Sequence, residues 1–196
     1  MIEEADYIAC HNQSYVVQYD LLQGLKKGGT FVLNTKWTKE ELDAQLPASL
    51  KNYIAKKDSK FYIIDATQIA EHIGLGNRIN MVMQSAFFKL AEVMDVDTAL
   101  KFLKDAIVSS DGKKGESIVK MNHEAVDQGV NALVKIEVPA DWATTTAGPE
   151  FAGAAKDSDP DFIKNILKPI NAQKGNDLPV STFVGAEDGT FENGSA

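Results

Sequence analysis

The chain has 196 residues with 20 basic and 28 acidic side chains, which gives a net charge of −8. No basic patch interleaved with aromatic residues is present, so the composition argues against nucleic-acid binding. Every apolar run falls short of the roughly 18 residues that cross a bilayer, and the first residues lack the pattern of a secretory signal. We expect a cytoplasmic protein that contacts neither nucleic acid nor a membrane.

Cysteine and histidine are too few and too dispersed to suggest a metal or iron–sulfur site in this chain. The single cysteine, Cys10, permits no internal disulfide, as is usual in a reducing compartment. His11, His72 and His123 have no spacing typical of metal ligands. Adjacent residues of a strand point to opposite faces, so His11 is badly placed to activate Cys10, and we interpret Cys10 as buried and unreactive.

Strands alternate with helices in the first part of the chain. Short apolar or β-branched runs predict strands over residues 5–10, 30–34 and 60–65. The predicted helices cover residues 13–25, stopped by Gly28 and Gly29, then a segment from Thr38 to about residue 57 broken at Pro47, and then 67–73, ended by Gly74. A Thr38 to Glu41 capping box opens the second of these helices. This alternation predicts βαβ units and a parallel sheet.

The pattern then becomes helical over residues 77–94, 97–109 and 115–133, with a turn at Asp111-Gly112 before the last helix. The first of these helices is apolar on two faces. Its core-facing stripe consists of Ile79, Val82, Met83, Ala86, Phe87, Leu90, Ala91 and Met94. Met81, Phe88 and Val93 lie outside that stripe. We therefore expect the helix over 77–94 to pack against another domain or another subunit.

Charge and proline content change near Val138. Residues 1–138 carry 16 basic and 19 acidic side chains, whereas residues 139–196 carry 4 basic and 9 acidic side chains and five of the six prolines. We predict a folded body over 1–138 and an extended connector over 139–196. The predicted fold class is α/β, a partial Rossmann-like parallel sheet with a helical C-terminal half and an extended tail.

Polar residues follow all three predicted strands. They are His11-Asn12-Gln13, Asn34-Thr35 and Asp65-Ala66-Thr67. The carboxyl ends of parallel strands meet at one edge of a sheet, where ligands bind in open α/β folds. The commoner role of such residues is to cap the following helices, and we prefer that interpretation for each of them.

The run Gly74-Leu-Gly-Asn-Arg78 begins like a dinucleotide-binding loop, but it lacks the third glycine and follows a helix instead of a strand. We interpret Gly74 as a helix stop. Arg78 either binds a phosphate or pairs with a neighbouring carboxylate, and the second role is commoner for a lone arginine. No pattern of paired carboxylates, nucleophile elbow or phosphate loop is present, so we predict no catalytic centre in this chain.

Long stretches of the chain resemble one enzyme family. The runs are ADYIACHNQSYVVQYDLLQGLKKGGTFVLN, GLGNRINMVMQSAFFKL and GKKGESIVKMNHEAVDQG, and in the connector DWATTT, DPDFIKNILKPINAQKGNDLPVSTF and EDGTFENGSA. In order and spacing they resemble the gamma-type domain of the long single-chain pyruvate:ferredoxin (flavodoxin) oxidoreductases. The connector resembles the passage from that domain into the EKR segment and a ferredoxin-like domain.

The resemblance implies a larger parent enzyme. Such an enzyme oxidatively decarboxylates pyruvate on thiamine diphosphate with Mg, passes electrons through [4Fe–4S] clusters to ferredoxin or flavodoxin, and delivers the acetyl group to coenzyme A. It implies that this chain binds none of these groups, scaffolds the other domains and borders the coenzyme A path. From their position at strand ends alone, we choose Asn12 and Asn34 as the candidate border residues. The family's glycine-rich loop associated with coenzyme A would lie upstream of Met1.

The implied partners are the remaining domains of the parent enzyme and a second subunit in a homodimer. An alternative of another class remains open. The chain could be a stand-alone, non-catalytic binding or assembly module that uses the second face of the helix over 77–94. Coding sequence on both sides for the missing strands and for cluster cysteines would favour the enzyme, whereas a true start and stop would favour the module.

Overall fold

A four-stranded sheet forms the centre of the chain in a computed structural model that describes residues 4–151, 156–172, 174–185 and 188–189. Strands β1 (Ala5–Cys10), β2 (Leu25–Asn34) and β3 (Lys60–Ile64) are parallel and adjacent in that order. The predicted α/β fold with a parallel sheet is confirmed. A short fourth strand, β4 (Val134–Ile136), pairs antiparallel with β3. We missed it because three residues directly after a long helix give too little alternation to recognise.

The predicted helix over 13–25 is wrong. Gln13–Val17 form one short 3-10 helix, and β2 already begins at Leu25. Val16 and Leu22, two of the apolar residues that suggested a helix, are buried although they lie in a 3-10 helix and a turn. Gly24 has a φ of 86°, a backbone conformation that a right-handed helix does not contain.

Gly28 and Gly29 lie within β2 instead of ending a helix. The register moves from Ala5 opposite Leu25 to Tyr7 opposite Thr30, so extra residues of β2 bulge out. Gly28 has a φ of 75° in this bulge, a conformation that glycine adopts without steric cost.

Six helices of the described residues precede the connector. They are α1 (Leu42–Gln45), α2 (Ala48–Lys56), α3 (Ala66–Ile73), α4 (Asn80–Ala91), α5 (Val96–Asp111) and α6 (Glu116–Asn131). The predicted break at Pro47 and the stop at Gly74, with a φ of 93°, are confirmed. The Glu41 carboxylate accepts a hydrogen bond from the Thr38 amide at 2.8 Å, although the helix itself starts only at Leu42.

The two faces of the sheet are covered differently. On one face Phe31 and Phe61 pack with α1, α2 and Trp142, and we call α1, α2 and residues 139–148 the front layer. On the other face Val32 and Ile64 pack with α3, α4 and α6, which we call the back layer. Helix α5 lies outside the back layer, against α4 and α6.

Helix α4 contacts other parts of this chain on both of its apolar faces. Val82, Met83 and Ala86 are buried in the back layer. Met81 and Phe88 pack against Leu103, Ile107 and Val126 from α5 and α6. Met81 and Phe88 are only half-buried there, and Val93 and Met94, just after the helix, are exposed, so the expectation of another domain or subunit at this second face stays a prediction. A pattern of two apolar faces cannot distinguish a partner subunit from a third layer of the same chain.

The connector contains a π-helix over Ile163–Leu167 and a short helix, α7 (Lys168–Asn171). A π-helix has wider turns than an α-helix. Pro169 explains this widening, because proline lacks an amide hydrogen and its ring clashes with the carbonyl four residues earlier. No helix in the described ranges is long and apolar enough to span a bilayer. The boundary proposed near residue 138 stays a prediction, but Trp142, beyond it, is buried against the body.

Candidate functional site

A polar cleft of about 640 Å³ opens at the carboxyl ends of β1, β2 and β3. All three predicted polar groups contribute to its wall. The lining residues are His11, Asn12, Gln13, Asn34, Thr35, Lys36, Asp65, Thr67, Gln68, Glu71, Asn77 and Ile79. The structure therefore brings together the strand ends as parallel topology requires. We did not predict Lys36, Gln68, Glu71, Asn77 or Ile79, although Thr67 and Glu71 are one helical turn apart on α3.

Asn34 is the most heavily bonded side chain of the cleft, and it is buried. Its Nδ2 donates to the carbonyl oxygen of His11 at 2.9 Å and to Thr67 Oγ1 at 3.2 Å. Its Oδ1 accepts from the amide of Ala66 at 2.9 Å. Asn34 thus connects the end of β2 to the end of β1 and to the start of α3.

Asn12 is exposed and caps the 3-10 helix, since its Oδ1 accepts from the Ser14 amide at 3.0 Å. The neighbouring Gln13 Oε1 accepts from Thr35 Oγ1 at 2.7 Å and from the Lys36 amide at 3.2 Å. Gln13 thus joins the end of β1 to the end of β2, whereas the Asn12 bond stays within its own turn, and both side chains line the cleft.

Asp65 acts as a helix cap. Its Oδ1 accepts from the Gln68 amide at 2.9 Å at the start of α3. The interpretation of strand-end residues as caps is confirmed for Asn12 and Asp65, and Asn34 performs a related role through Ala66. Capping and cleft lining are compatible, because only one atom of each side chain is used for the cap.

Cys10 is buried, as we predicted, and its thiol donates to the carbonyl oxygen of Asn12 at 3.1 Å. Burial raises the pKa of Cys10, and the hydrogen bond to Asn12 opposes this only in part. A thiol whose pKa is raised is protonated near neutral pH and is a poor nucleophile.

The remaining candidates do not join the cleft. His123 Nε2 lies 3.1 Å from the carbonyl oxygen of Lys104, and His123 does not line the cleft. Arg78 Nε donates to the carbonyl oxygen of Leu75 at 3.1 Å, so this guanidinium braces its own turn. The preference for an Arg78–carboxylate pair has no support among the ion pairs of the described residues.

Metal ligands are not grouped in the described ranges, where no cluster of three or more His, Cys, Asp or Glu side chains occurs. With one cysteine in the whole sequence, the chain offers no ligand set for an iron–sulfur cluster. The cleft holds hydrogen-bonding amides and hydroxyls, which suit binding and positioning of a polar ligand more than bond cleavage.

A second polar group is found in the front layer, away from the cleft. The fully buried Lys51 donates from Nζ to the Asp43 carbonyl oxygen at 2.7 Å and to Asp43 Oδ1 at 3.1 Å. Trp142 Nε1 donates to the same Oδ1 at 2.8 Å. These bonds lower the pKa of Asp43, the bond from Lys51 most. The sequence offered no signal for this group, because its members are 99 residues apart at the extremes.

Comparison with known proteins places these features in a family. The sequence model described as "Pyruvate ferredoxin/flavodoxin oxidoreductase" matches residues 1–132, and EKR, a domain of unknown function, matches residues 150–196. A pyruvate:ferredoxin oxidoreductase of Moorella thermoacetica is 52% identical over 195 residues, and a pyruvate-flavodoxin oxidoreductase of Klebsiella pneumoniae is 49% identical over 196. Each alignment covers 100% of this chain and 16% of the relative.

A solved structure agrees with the fold. The pyruvate oxidoreductase subunit PORC of Thermotoga maritima superposes with a TM-score of 0.52 at 18% identity, over 69% of this chain and 67% of that subunit. The family resemblance seen in the sequence is confirmed, and the EKR match lies within the segment that we predicted as a connector leading towards it. The chain belongs to the pyruvate ferredoxin/flavodoxin oxidoreductase family and spans about one sixth of the length of its relatives.

Proposed function

We propose that this chain is part of a pyruvate oxidoreductase that decarboxylates the 2-oxoacid, forms acetyl-coenzyme A and reduces ferredoxin or flavodoxin. The observation that carries the proposal is the identity of 52% and 49% to two such enzymes along the whole chain. Within that enzyme the chain scaffolds neighbouring domains and supplies no catalytic group. Its place is in the cytoplasm, as part of one polypeptide that associates into a homodimer.

The polar cleft is the part of this chain that borders the coenzyme A path in our proposal. Asn12 and Asn34 lie in its wall, at the edge of the sheet where open α/β folds bind ligands. Coenzyme A is rich in phosphate, carbonyl and hydroxyl acceptors, and the cleft offers amide and ammonium donors such as those of Asn12 and Lys36.

Thiamine diphosphate, Mg and the [4Fe–4S] clusters belong to other parts of the proposed enzyme. The residues of this chain do not fit a cluster, since Cys10 is its single cysteine and is buried. The chain's contribution is therefore geometric, by holding domains and shaping one wall of a substrate path.

The complete reading frame that contains this segment provides the test. We expect the encoded polypeptide to reduce a viologen dye in the presence of pyruvate and coenzyme A, whereas the 196-residue chain alone should not. Turnover by the chain alone would contradict the proposal. A reading frame limited to these residues, with no activity in any mixture, would favour a stand-alone binding module instead.

Asn12→Ala in the complete polypeptide tests the cleft. We expect the KM for coenzyme A to rise about fivefold to tenfold, the loss of one ordinary hydrogen bond, while the KM for pyruvate stays unchanged. Asn131→Ala is the matched control, because Asn131 is exposed on α6 and does not line the cleft. Equal coenzyme A kinetics in both variants would remove Asn12 from the path.

A further inference from the structure

We infer that Asn34 is a positioning residue of the cleft, which acts through His11 and Thr67 and makes no contact of its own with a ligand. The inference rests on the proposed function for the identity of the ligand, but its geometric basis is independent of it. Asn34 is 6% exposed, and both ends of its amide are bonded within the protein. A side-chain amide in this state has no donor left for a ligand.

The orientation of the Asn34 amide is determined by its partners. The backbone amide of Ala66 can only donate, so the atom facing it is Oδ1. The carbonyl oxygen of His11 can only accept, so the atom facing it is Nδ2. Exchanging the two atoms would place donor against donor and acceptor against acceptor, and the buried groups would all lose their partners.

This orientation sets the chemistry of the neighbouring side chains. Because Thr67 Oγ1 accepts from Asn34 Nδ2, the Thr67 hydroxyl hydrogen remains to donate towards the cleft. Asn12 and Gln13 follow the same pattern. Their side-chain oxygens accept hydrogen bonds from the backbone amides of Ser14 and Lys36, so it is their side-chain NH₂ groups that can donate to a ligand. The cleft therefore presents hydrogen-bond donors beside the acidic Asp65 and Glu71.

Such a wall fits a ligand segment that carries acceptors. Asn34 is the residue that holds two of the donors in place, one on each side, since it bonds the carbonyl that precedes Asn12 and the hydroxyl of Thr67. Loss of its Nδ2 hydrogens should loosen the turn from His11 to Ser14 without unfolding the sheet.

Asn34→Asp in the 196-residue chain tests this role by amide hydrogen exchange. The substitution keeps an oxygen for the Ala66 amide but places a second oxygen against the carbonyl of His11. We expect exchange at Ser14 and Tyr15, both bonded to Asn12, to become about tenfold faster relative to the parent chain. The amide of Ala66 is the internal control and should keep its protection.

Acidification adds a readout that simple destabilisation would not produce. A carboxyl group buried against an acceptor has a raised pKa, and its protonated form can donate to the carbonyl of His11. Protection of Ser14 in Asn34→Asp should therefore return towards that of the parent chain, compared at the same pH, as the pH is lowered from 7 to 5. Unchanged exchange at Ser14 in the variant, or loss without recovery, overturns the inference.

The kinetic arm separates this inference from the proposed function. In the complete polypeptide, Asn34→Asp should raise the KM for coenzyme A and leave kcat within about twofold. If Asn12→Ala has no effect on coenzyme A while exchange at Ser14 responds to Asn34→Asp, the coenzyme A assignment fails and the positioning role stands. If instead Asn12→Ala raises the KM for coenzyme A while exchange at Ser14 does not respond to Asn34→Asp, the positioning role fails and the coenzyme A assignment stands.

Discussion

The front and back layers cover the same sheet by different means. The back layer is made of helices that pack closely, with Gly129 of α6 against Ser85 and Val82 of α4. The front layer consists of two short helices and a late segment whose Trp142 fills the remaining space. Its polar groups Lys51, Asp43 and Trp142 bond to one another. The stability of the back layer thus depends on close packing between helices, whereas that of the front layer depends on Trp142 and the hydrogen bonds around it.

Trp142→Ala should give the largest effect, because it removes the residue that closes the front layer. Trp142 is 3% exposed, and its ring lies 6.4 Å from that of Phe61. We expect the free energy of unfolding to fall by about 3–5 kcal/mol in urea titrations. Phe102→Ala is the control, since Phe102 is 60% exposed on α5 and should change stability little. Equal losses in both variants would refute the special role of Trp142.

Gly129→Ala probes the close packing of the back layer. A β-carbon at this position would meet Ser85 Oγ and the Val82 carbonyl oxygen at distances that no real structure tolerates. Alanine favours helices over glycine, yet we expect a net loss of about 1–3 kcal/mol by thermal or urea unfolding. Gly112→Ala, whose β-carbon would meet no atom within 4 Å, serves as the control. A stabilised Gly129→Ala variant would contradict the close packing of α4 against α6 at this position.

Asp43→Asn tests the charge in the front layer. Lys51 is fully buried and loses its charged partner, so we expect a loss of about 1–2 kcal/mol at pH 7. The folded pKa of Asp43 is lowered, so its contribution is present above the unfolded value of about 3.9 and disappears as the pH falls through the folded pKa. The stabilities of the two chains should therefore differ equally at pH 7 and 5, and the difference should begin to shrink as the pH falls below about 4.

A matched variant accompanies this measurement. Asp58→Asn removes the carboxylate of an exposed pair with Lys27, in which both side chains are more than 60% exposed. It should change stability by less than about 0.5 kcal/mol at every pH. A difference between Asp43→Asn and the parent chain that is as large at pH 3 as at pH 7 would argue against the charge as its cause.

Two tyrosine variants give the smallest expected effects and opposite signs. The Tyr7 hydroxyl is buried in the back layer without a hydrogen-bond partner among the described residues, and burial raises the pKa of Tyr7 to about 12. Tyr7→Phe should therefore stabilise by up to about 1 kcal/mol. Tyr53 in the front layer donates to the Leu25 carbonyl oxygen at 3.0 Å, so Tyr53→Phe should cost about 1 kcal/mol. Thermal unfolding of both variants checks the signs, and the same sign would contradict the comparison.

Local rules predicted the parallel sheet and most helix ends. Pro47 and Gly74 act through their own backbone chemistry, so the sequence shows them directly. The segment from Gln13 to Leu25 was mistaken for a helix because a buried turn and a helix bury apolar residues at similar spacings. Strand-end chemistry likewise predicted where Asn12, Asn34 and Asp65 would meet.

Long-range partners could not be predicted in the same way. Nothing near Lys51 in sequence indicates that its ammonium group will lie 5.9 Å from the Trp142 ring. The bonding of Asn34 to His11 and Thr67 depends on the register of three strands, which the residue types alone do not specify. The cleft could be located from the sequence, but the division of roles within it required the structure.

The contact between Asp43 and Trp142 spans 99 residues, and it orders events during synthesis of the chain. Helix α6, the last helix of the back layer, ends at Asn131, so that layer can close before residue 142 has been made. Phe31 and Phe61, stacked at 5.3 Å, are covered on the front face only by α1 and α2 until then. Closing so long a loop is slow, so this aromatic surface is among the last parts of the sheet to be fully buried.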